Sequence, residues 1–151
     1  MKSWKGLIVF LCATFAVAAL GSLWPPDAWY QQLSKPFFNP PAWVFAPAWT
    51  LLYALMAVAA WRVYRAAGWG VALWLWTVQL ALNAAWTPLF FGLRRIDLAM
   101  LDIVVLDLVV IATVGAFFRH DRVAGWMLIP YLAWIGFATL LTMTILRLNP
   151  V

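Results

Sequence analysis

The amino-acid sequence predicts an all-α integral membrane protein, a bundle of five transmembrane helices with one long loop between the first and the second. Three observations carry this prediction. The 151 residues are 67% hydrophobic and only 10% charged, where a soluble domain is roughly 45–50% apolar. The apolar residues fall into five runs, each close to the ~20 residues that cross a bilayer as a helix. The last three breaks between runs are only a few residues long, which makes consecutive helices antiparallel neighbours. Within lipid a backbone must satisfy its own polar groups, so the runs are read as helices. One domain fills residues 1–151.

The first run, 7–23, follows Lys2 and Lys5 and ends in small residues (Ala16, Ala18, Ala19, Gly21, Ser22). That pattern imitates a signal peptide, but four further runs make an uncleaved first helix the simpler reading. The second run, 44–64, is ended by Arg62 and Arg65. The third, 69–91, starts after Gly68 and stops at Gly92, Arg94 and Arg95. The fourth, 96–118, closes on a charged turn, Arg119-His120-Asp121-Arg122. The fifth, 125–146, precedes Arg147, Asn149 and Pro150.

The first connection stands apart. Residues 24–43 hold five prolines and the stretch Asp27-x-Trp29-Tyr30-x-x-Leu33. Pro26 and Asp27 can start a short helix that Pro36 would end. A loop this long in a small bundle is read either as a lid over a site or as an anchor on the membrane surface.

The net charge is +5, but the basic residues sit singly or in pairs at the ends of apolar runs, as membrane anchors do. No basic patch suits a nucleic acid. With the N-terminus inside, the inner face holds Lys2, Lys5, Arg62, Arg65, Arg119 and Arg122, and the outer face Lys35, Arg94, Arg95 and Arg147. That count leans toward N-inside and a plasma (inner) membrane. The single cysteine, Cys12, excludes an intramolecular disulfide and a cysteine metal cluster. The single histidine, His120, reads as a solvated loop residue.

The chemistry lies in the indoles and amides. Of 12 tryptophans, many fall at mid-helix rather than in the interfacial belt where the residue is ordinary. Gln79, Asn83, Trp86 and Phe90 are spaced to share one face of the third helix. Amides at membrane depth must point into the bundle. Helix two offers Trp49, Tyr53 and Met56, and helix five offers Pro130, Trp134, Phe137 and Ala138. Converging, these faces would wall an aromatic cavity with a few polar groups, suited to a flat, mostly apolar ligand. The same amides could instead glue helices together by hydrogen bonds, and spacing alone leaves both readings open. Pro47, Pro88 and Pro130 free backbone carbonyls and can kink their helices. Asp102 and Asp107, five residues apart, point about 140° away from each other and form no acid–base dyad. Asp102 and Asp107 leave open a proton relay. The serines have no base near them in sequence, and no Walker loop, GxGxxG, HExxH or CxxC is present. Composition and spacing point to binding rather than catalysis, with no metal and no required cofactor.

The motifs carry a resemblance. Trp29-Tyr30-x-x-Leu33-x-Lys35-Pro36, followed by Pro40-Pro41-x-Trp43-Val44-Phe45-x-Pro47-x-Trp49-Thr50-x-x-Tyr53, resembles the TspO/MBR family, the tryptophan-rich sensory proteins related to the mitochondrial translocator protein or peripheral benzodiazepine receptor. The likeness continues through Gln79-Leu80-Ala81-Leu82-Asn83-x-x-Trp86-x-Pro88-x-Phe90-Phe91-Gly92, Pro130-Tyr131-Leu132-x-Trp134 and Phe137-Ala138. It implies a five-helix bundle, commonly a homodimer, with one cavity per protomer under the first connection. The ligands it implies are porphyrins such as protoporphyrin IX, benzodiazepine-type compounds and, in some members, cholesterol. By the same resemblance Trp49 and Asn83 form the polar pair that holds a ligand carbonyl. Tyr30, Trp43, Phe45, Trp86, Trp134 and Ala138 form the wall, with Tyr53 beside them. Met143 stands where animal members carry a tyrosine in their sterol motif, which puts porphyrin ahead of sterol. Some bacterial members are placed in the outer membrane.

Three functions follow from this reading. The leading one is a porphyrin-binding membrane receptor or sensor linked to tetrapyrrole regulation. A second is light- and oxygen-dependent breakdown of porphyrin, with Trp86 or Trp134 as electron donor. A third is transport of porphyrin or sterol. Ala81 and Ala85, four residues apart on helix three, give a homodimer a place for close helix contact.

Overall fold

In the computed structural model, residues 3–150 are described; Lys2, counted above among the inner basic residues, lies outside them. The elements are α1 (Trp4–Gly21), α2 (Ala28–Gln32), α3 (Ala42–Ala67), α4 (Val71–Thr87), a π-helical turn (Pro88–Gly92), α5 (Ile96–His120) and α6 (Arg122–Leu148). No strand occurs among the described residues. α1, α3, α5 and α6 are each long and apolar enough to cross a membrane. Their outward faces carry large apolar side chains such as Leu108, Ile111 and Trp126, each more than half exposed. The chain is an integral, multi-pass membrane protein, and these faces meet lipid.

Local chemistry sets the helix ends. α3 starts directly after Pro40 and Pro41 and runs past Arg62 and Arg65 to Gly68. Gly68 takes φ +72, a left-handed conformation that suits glycine, and its N–H closes on the Tyr64 carbonyl at 2.8 Å. α4 ends at Thr87 because Pro88 has no N–H to continue the ladder. The chain widens there into the π turn, in which the Leu93 N–H reaches the Pro88 carbonyl at 2.8 Å. Pro88 thus opens a π turn where the sequence predicted a kinked but continuous third helix. The expected charged turn after the fourth run shrinks to one residue. His120 belongs to α5, and Asp121 both ends α5 and caps α6, accepting from the Ala124 N–H at 3.0 Å.

The core follows from small side chains. Ala57, Ala59 and Ala60 of α3 are fully buried beside Met56, and Leu73, Phe117 and Leu128 close the centre. Small residues let helix backbones approach without a water-driven force. Near the first connection a second cluster forms from Phe90, Ile96, Ala99, Leu141 and Ile145. Gly125 lies so close to Phe118 that a Cβ would fall 2.5 Å from its ring, which lets α6 fold straight back on α5.

Polar ties mark the two ends of the bundle. At one end Arg62 pairs with Asp121 at 3.2 Å, and the Trp61 indole N–H donates to the Ser3 carbonyl at 3.0 Å. At the other end the α1–α3 connection is pinned at two points. Arg94 pairs with Asp27 at 3.0 Å. Asn149 clasps the Ser34 backbone, accepting from its N–H at 3.0 Å and donating to its carbonyl at 2.8 Å.

Candidate functional site: an aromatic cavity under the α1–α3 connection

A cavity of about 1030 Å³ opens between α1, α3, α4, α5 and α6, with the α1–α3 connection across its mouth. The connection holds its shape through α2. The Asp27 carboxylate accepts from the Tyr30 N–H at 3.2 Å and so caps the helix. That N–H and the Arg94 guanidinium hold the Asp27 carboxyl below the ordinary aspartate range. α2 stops at Gln32, with Leu33 already extended, so it ends earlier than the proline at 36 suggested. Arg94 takes φ +55, a costly conformation for a side chain with a Cβ, and its guanidinium also lies 5.9 Å from the Trp29 ring centre.

The structure brings most of the sequence-predicted site together. Phe45, Trp49 and Tyr53 line the cavity from α3, and Asn83 and Trp86 from α4. Trp134 and Ala138 line it from α6, and Tyr30 from α2. Trp43 does not join them: it is 75% exposed at the start of α3 and is not among the lining residues. The indole of Trp49 stacks on Tyr53 at 5.3 Å and meets Trp134 edge-on at 6.2 Å. Trp86 stacks on Phe90 at 4.8 Å, which rests beside Tyr30. Trp134 also faces a shallower groove of about 420 Å³ outside the cavity, shared with Phe38 and Phe137.

The amides are engaged in a buried chain. Tyr53 donates to Asn83 Oδ1 at 3.0 Å, Asn83 Nδ2 donates to the Tyr131 hydroxyl at 2.9 Å, and Tyr131 donates to Gln79 Oε1 at 2.7 Å. The chain binds α3, α4 and α6 across the centre of the bundle. Gln79 therefore acts as helix glue, whereas Asn83 belongs to the chain and to the cavity wall at once. Asn83 is hydrogen-bonded to the two tyrosines rather than to Trp49. Sequence reasoning passed over Tyr131 as a site residue. It is 1% exposed, and its hydroxyl had to find partners once buried. It also passed over the α1 contribution, Phe15, Val17 and Ala18, because a uniformly apolar helix shows no preferred face.

The two mid-helix aspartates stand outside the cavity lining. Asp107 accepts from the Thr139 hydroxyl at 2.6 Å and ties α5 to α6. Asp102 is 9% exposed, with one carboxyl oxygen unpartnered. Among the described residues no group of histidine, cysteine or acidic side chains could hold a metal ion.

An all-helical membrane protein with a large aromatic cavity beneath a pinned connection and an internal polar chain is the class that fold and site define. The TspO/MBR family profile matches residues 8–148, and the chain belongs to that family. It is 47% identical over 146 residues to a tryptophan-rich sensory protein of Cereibacter sphaeroides, covering 97% of this chain and 92% of that relative. It is 41% identical to protein CrtK of Rhodobacter capsulatus, over 94% of this chain and 91% of the relative. It is 39% identical to the human translocator protein, over 80% of this chain and 75% of the relative.

Proposed function

We propose that this protein is a membrane receptor that takes up a porphyrin-type ligand, or a benzodiazepine-like one, inside its helix bundle and serves tetrapyrrole sensing. The cavity carries this reading. Its volume stands at the upper end of the roughly 300–1,000 Å³ of small-molecule sites, and stacked indoles and phenols line it. Flat rings gain from offset and edge-on contact with such walls. Polar groups of the lining that include Asn83, Tyr53, Lys35 and Asn39 orient rather than solvate the ligand. The relatives named as sensory and translocator proteins support the same reading.

The reading includes five membrane crossings. α4 and the π turn together are long enough for the ~30 Å hydrocarbon core, so α4 acts as the fifth span. It also includes a homodimer through the outer face of α4, where Trp74 and Val78 are exposed.

The test is a tryptophan-fluorescence titration with protoporphyrin IX in detergent, on wild type and Trp49→Ala together. Saturable quenching that weakens by up to about tenfold in the variant supports the site, since an aromatic contact between indole and ligand is worth about 0.5–1.5 kcal/mol beyond its buried area. Linear quenching in both proteins means that porphyrin partitions into the micelle, and refutes it.

A further inference from the structure

The mouth of the cavity is chemically lopsided. Lys35 is the one charged side chain among the described lining residues, and no carboxylate faces it. Its ammonium lies 4.5 Å from the centre of the Tyr30 ring and donates to the Leu33 carbonyl at 3.2 Å, with a longer contact to Gln31 at 3.5 Å. No ion pair engages it among the described residues. An ammonium has three protons, so at least one remains for the cavity. The Tyr30 ring rests on Phe91 at 5.3 Å, and Phe91 meets Trp86 at 5.9 Å. The Trp86 indole nitrogen is buried with no acceptor, and an indole N–H can only donate. That nitrogen is shut behind the surface, so the group the wall presents is the Lys35 ammonium at the mouth, backed by the Tyr30, Phe91 and Trp86 rings.

Such a wall asks for a ligand that is apolar over most of its area and carries an anionic acceptor at one edge. A neutral sterol offers one hydroxyl acceptor and no charge, so it cannot neutralise the Lys35 ammonium. We propose that Lys35 determines specificity for a carboxylate on the ligand: the ring system lies between Trp49, Trp86 and Trp134 while one carboxylate reaches the Lys35 ammonium at the mouth. The inference rests on the porphyrin reading above and names the charge of the ligand that the cavity selects. A porphyrin with two acid side chains sets one on Lys35 and leaves the other to water at the open edge.

The experiment is a double-mutant cycle with protoporphyrin IX and its dimethyl ester, which share the ring and differ in the carboxylates. Affinities are measured by fluorescence quenching in one detergent for wild type, Lys35→Gln and Lys35→Arg. Acid and ester partition differently into the micelle, but each does so equally for every variant, so partitioning cancels when a variant's acid-to-ester ratio is divided by that of wild type. The expected result is that wild type prefers the acid, that Lys35→Gln reduces the preference by about tenfold at constant ester affinity, and that Lys35→Arg keeps it, as a half-buried charge-assisted hydrogen bond requires. Equal weakening of acid and ester in Lys35→Gln would show that the lysine only holds the connection in place, and overturns the inference. Saturable but equal binding of both ligands to wild type overturns it as well. No saturable binding of either ligand refutes the receptor reading itself.

Discussion

Tyr131→Phe tests the buried polar chain with little change in shape. The substitution removes one oxygen from a side chain that is 1% exposed, so it leaves no large cavity and moves no helix. It breaks two hydrogen bonds, from Asn83 at 2.9 Å and to Gln79 at 2.7 Å. Asn83 keeps its bond from Tyr53. Gln79, itself 1% exposed, keeps only a long contact from its amide to the Met56 sulfur at 3.7 Å. Interhelical hydrogen bonds in membranes average ~0.6 kcal/mol and reach ~1.7. Two of them, with a stranded glutamine added, predict a loss of about 1–3 kcal/mol. The assay is reversible unfolding in mixed micelles, followed by near-ultraviolet circular dichroism. A loss under about 0.5 kcal/mol, below even one average bond, would refute the claim that the chain holds α4 and α6 together. The variant should still bind porphyrin, because the Trp49, Trp86 and Trp134 walls stay in place.

The other predictions concern the mouth of the cavity. Asp27→Asn should speed porphyrin release by removing the charge that Arg94 grips, as stopped-flow dilution would show. In the wild type the Asp27–Arg94 pin should hold at neutral pH and above the ordinary aspartate value of 3.8, and be lost only as pH falls through the lower folded-state value, because a depressed carboxyl stabilises in its charged form. Release rates that change between pH 7 and 5 would assign the control to another group. Gly92→Ala places a Cβ 2.9 Å from the Trp24 indole nitrogen, so Trp24 must shift. The expected cost is about 1 kcal/mol of stability with weaker porphyrin binding, and an unchanged melting temperature and affinity would contradict it. Trp43→Ala should leave porphyrin affinity within about twofold of wild type, because the side chain is 75% exposed and outside the cavity lining.

The all-helical fold and its membrane character were legible in the sequence because hydrophobic run length is a direct physical requirement of a bilayer. Helix ends were less so. Arg62 and Arg65 suggested where the second run stops, but charged side chains at a membrane end extend toward water while their backbone stays helical. The backbone stopped at Gly68, where a left-handed turn was available. Pro88 signalled a disturbance without saying that the ladder would widen into a π turn. The site was legible where polar residues punctuated an apolar face: Gln79, Asn83 and Trp86 mark α4, and Trp49 and Tyr53 mark α3. Trp43 belonged to the same motif and carried no sign that it would stay exposed outside the lining. α1 offered no polar marker, so its share of the wall emerged only from the packing.

Spacing alone could not decide between amides that glue helices and amides that hold a ligand, and the hydrogen-bond chain divides the two roles by depth. Gln79 lies outside the cavity lining, where its carbonyl accepts from Tyr131 and its amide reaches only the Met56 sulfur. Asn83 uses its carbonyl for Tyr53 and one amide proton for Tyr131, which leaves a second amide proton at the cavity wall. A ligand carbonyl can accept that proton without breaking the chain. Loss of binding in Asn83→Ala would on its own be ambiguous, since the variant removes the ligand donor and the link between α3, α4 and α6 together. Tyr131→Phe separates the two, because it weakens the link and keeps the donor. If Asn83→Ala loses porphyrin while Tyr131→Phe loses only stability, Asn83 is a ligand group. If both lose binding in proportion to stability, the asparagine serves the bundle and the cavity recognises its ligand through aromatic walls and the mouth alone.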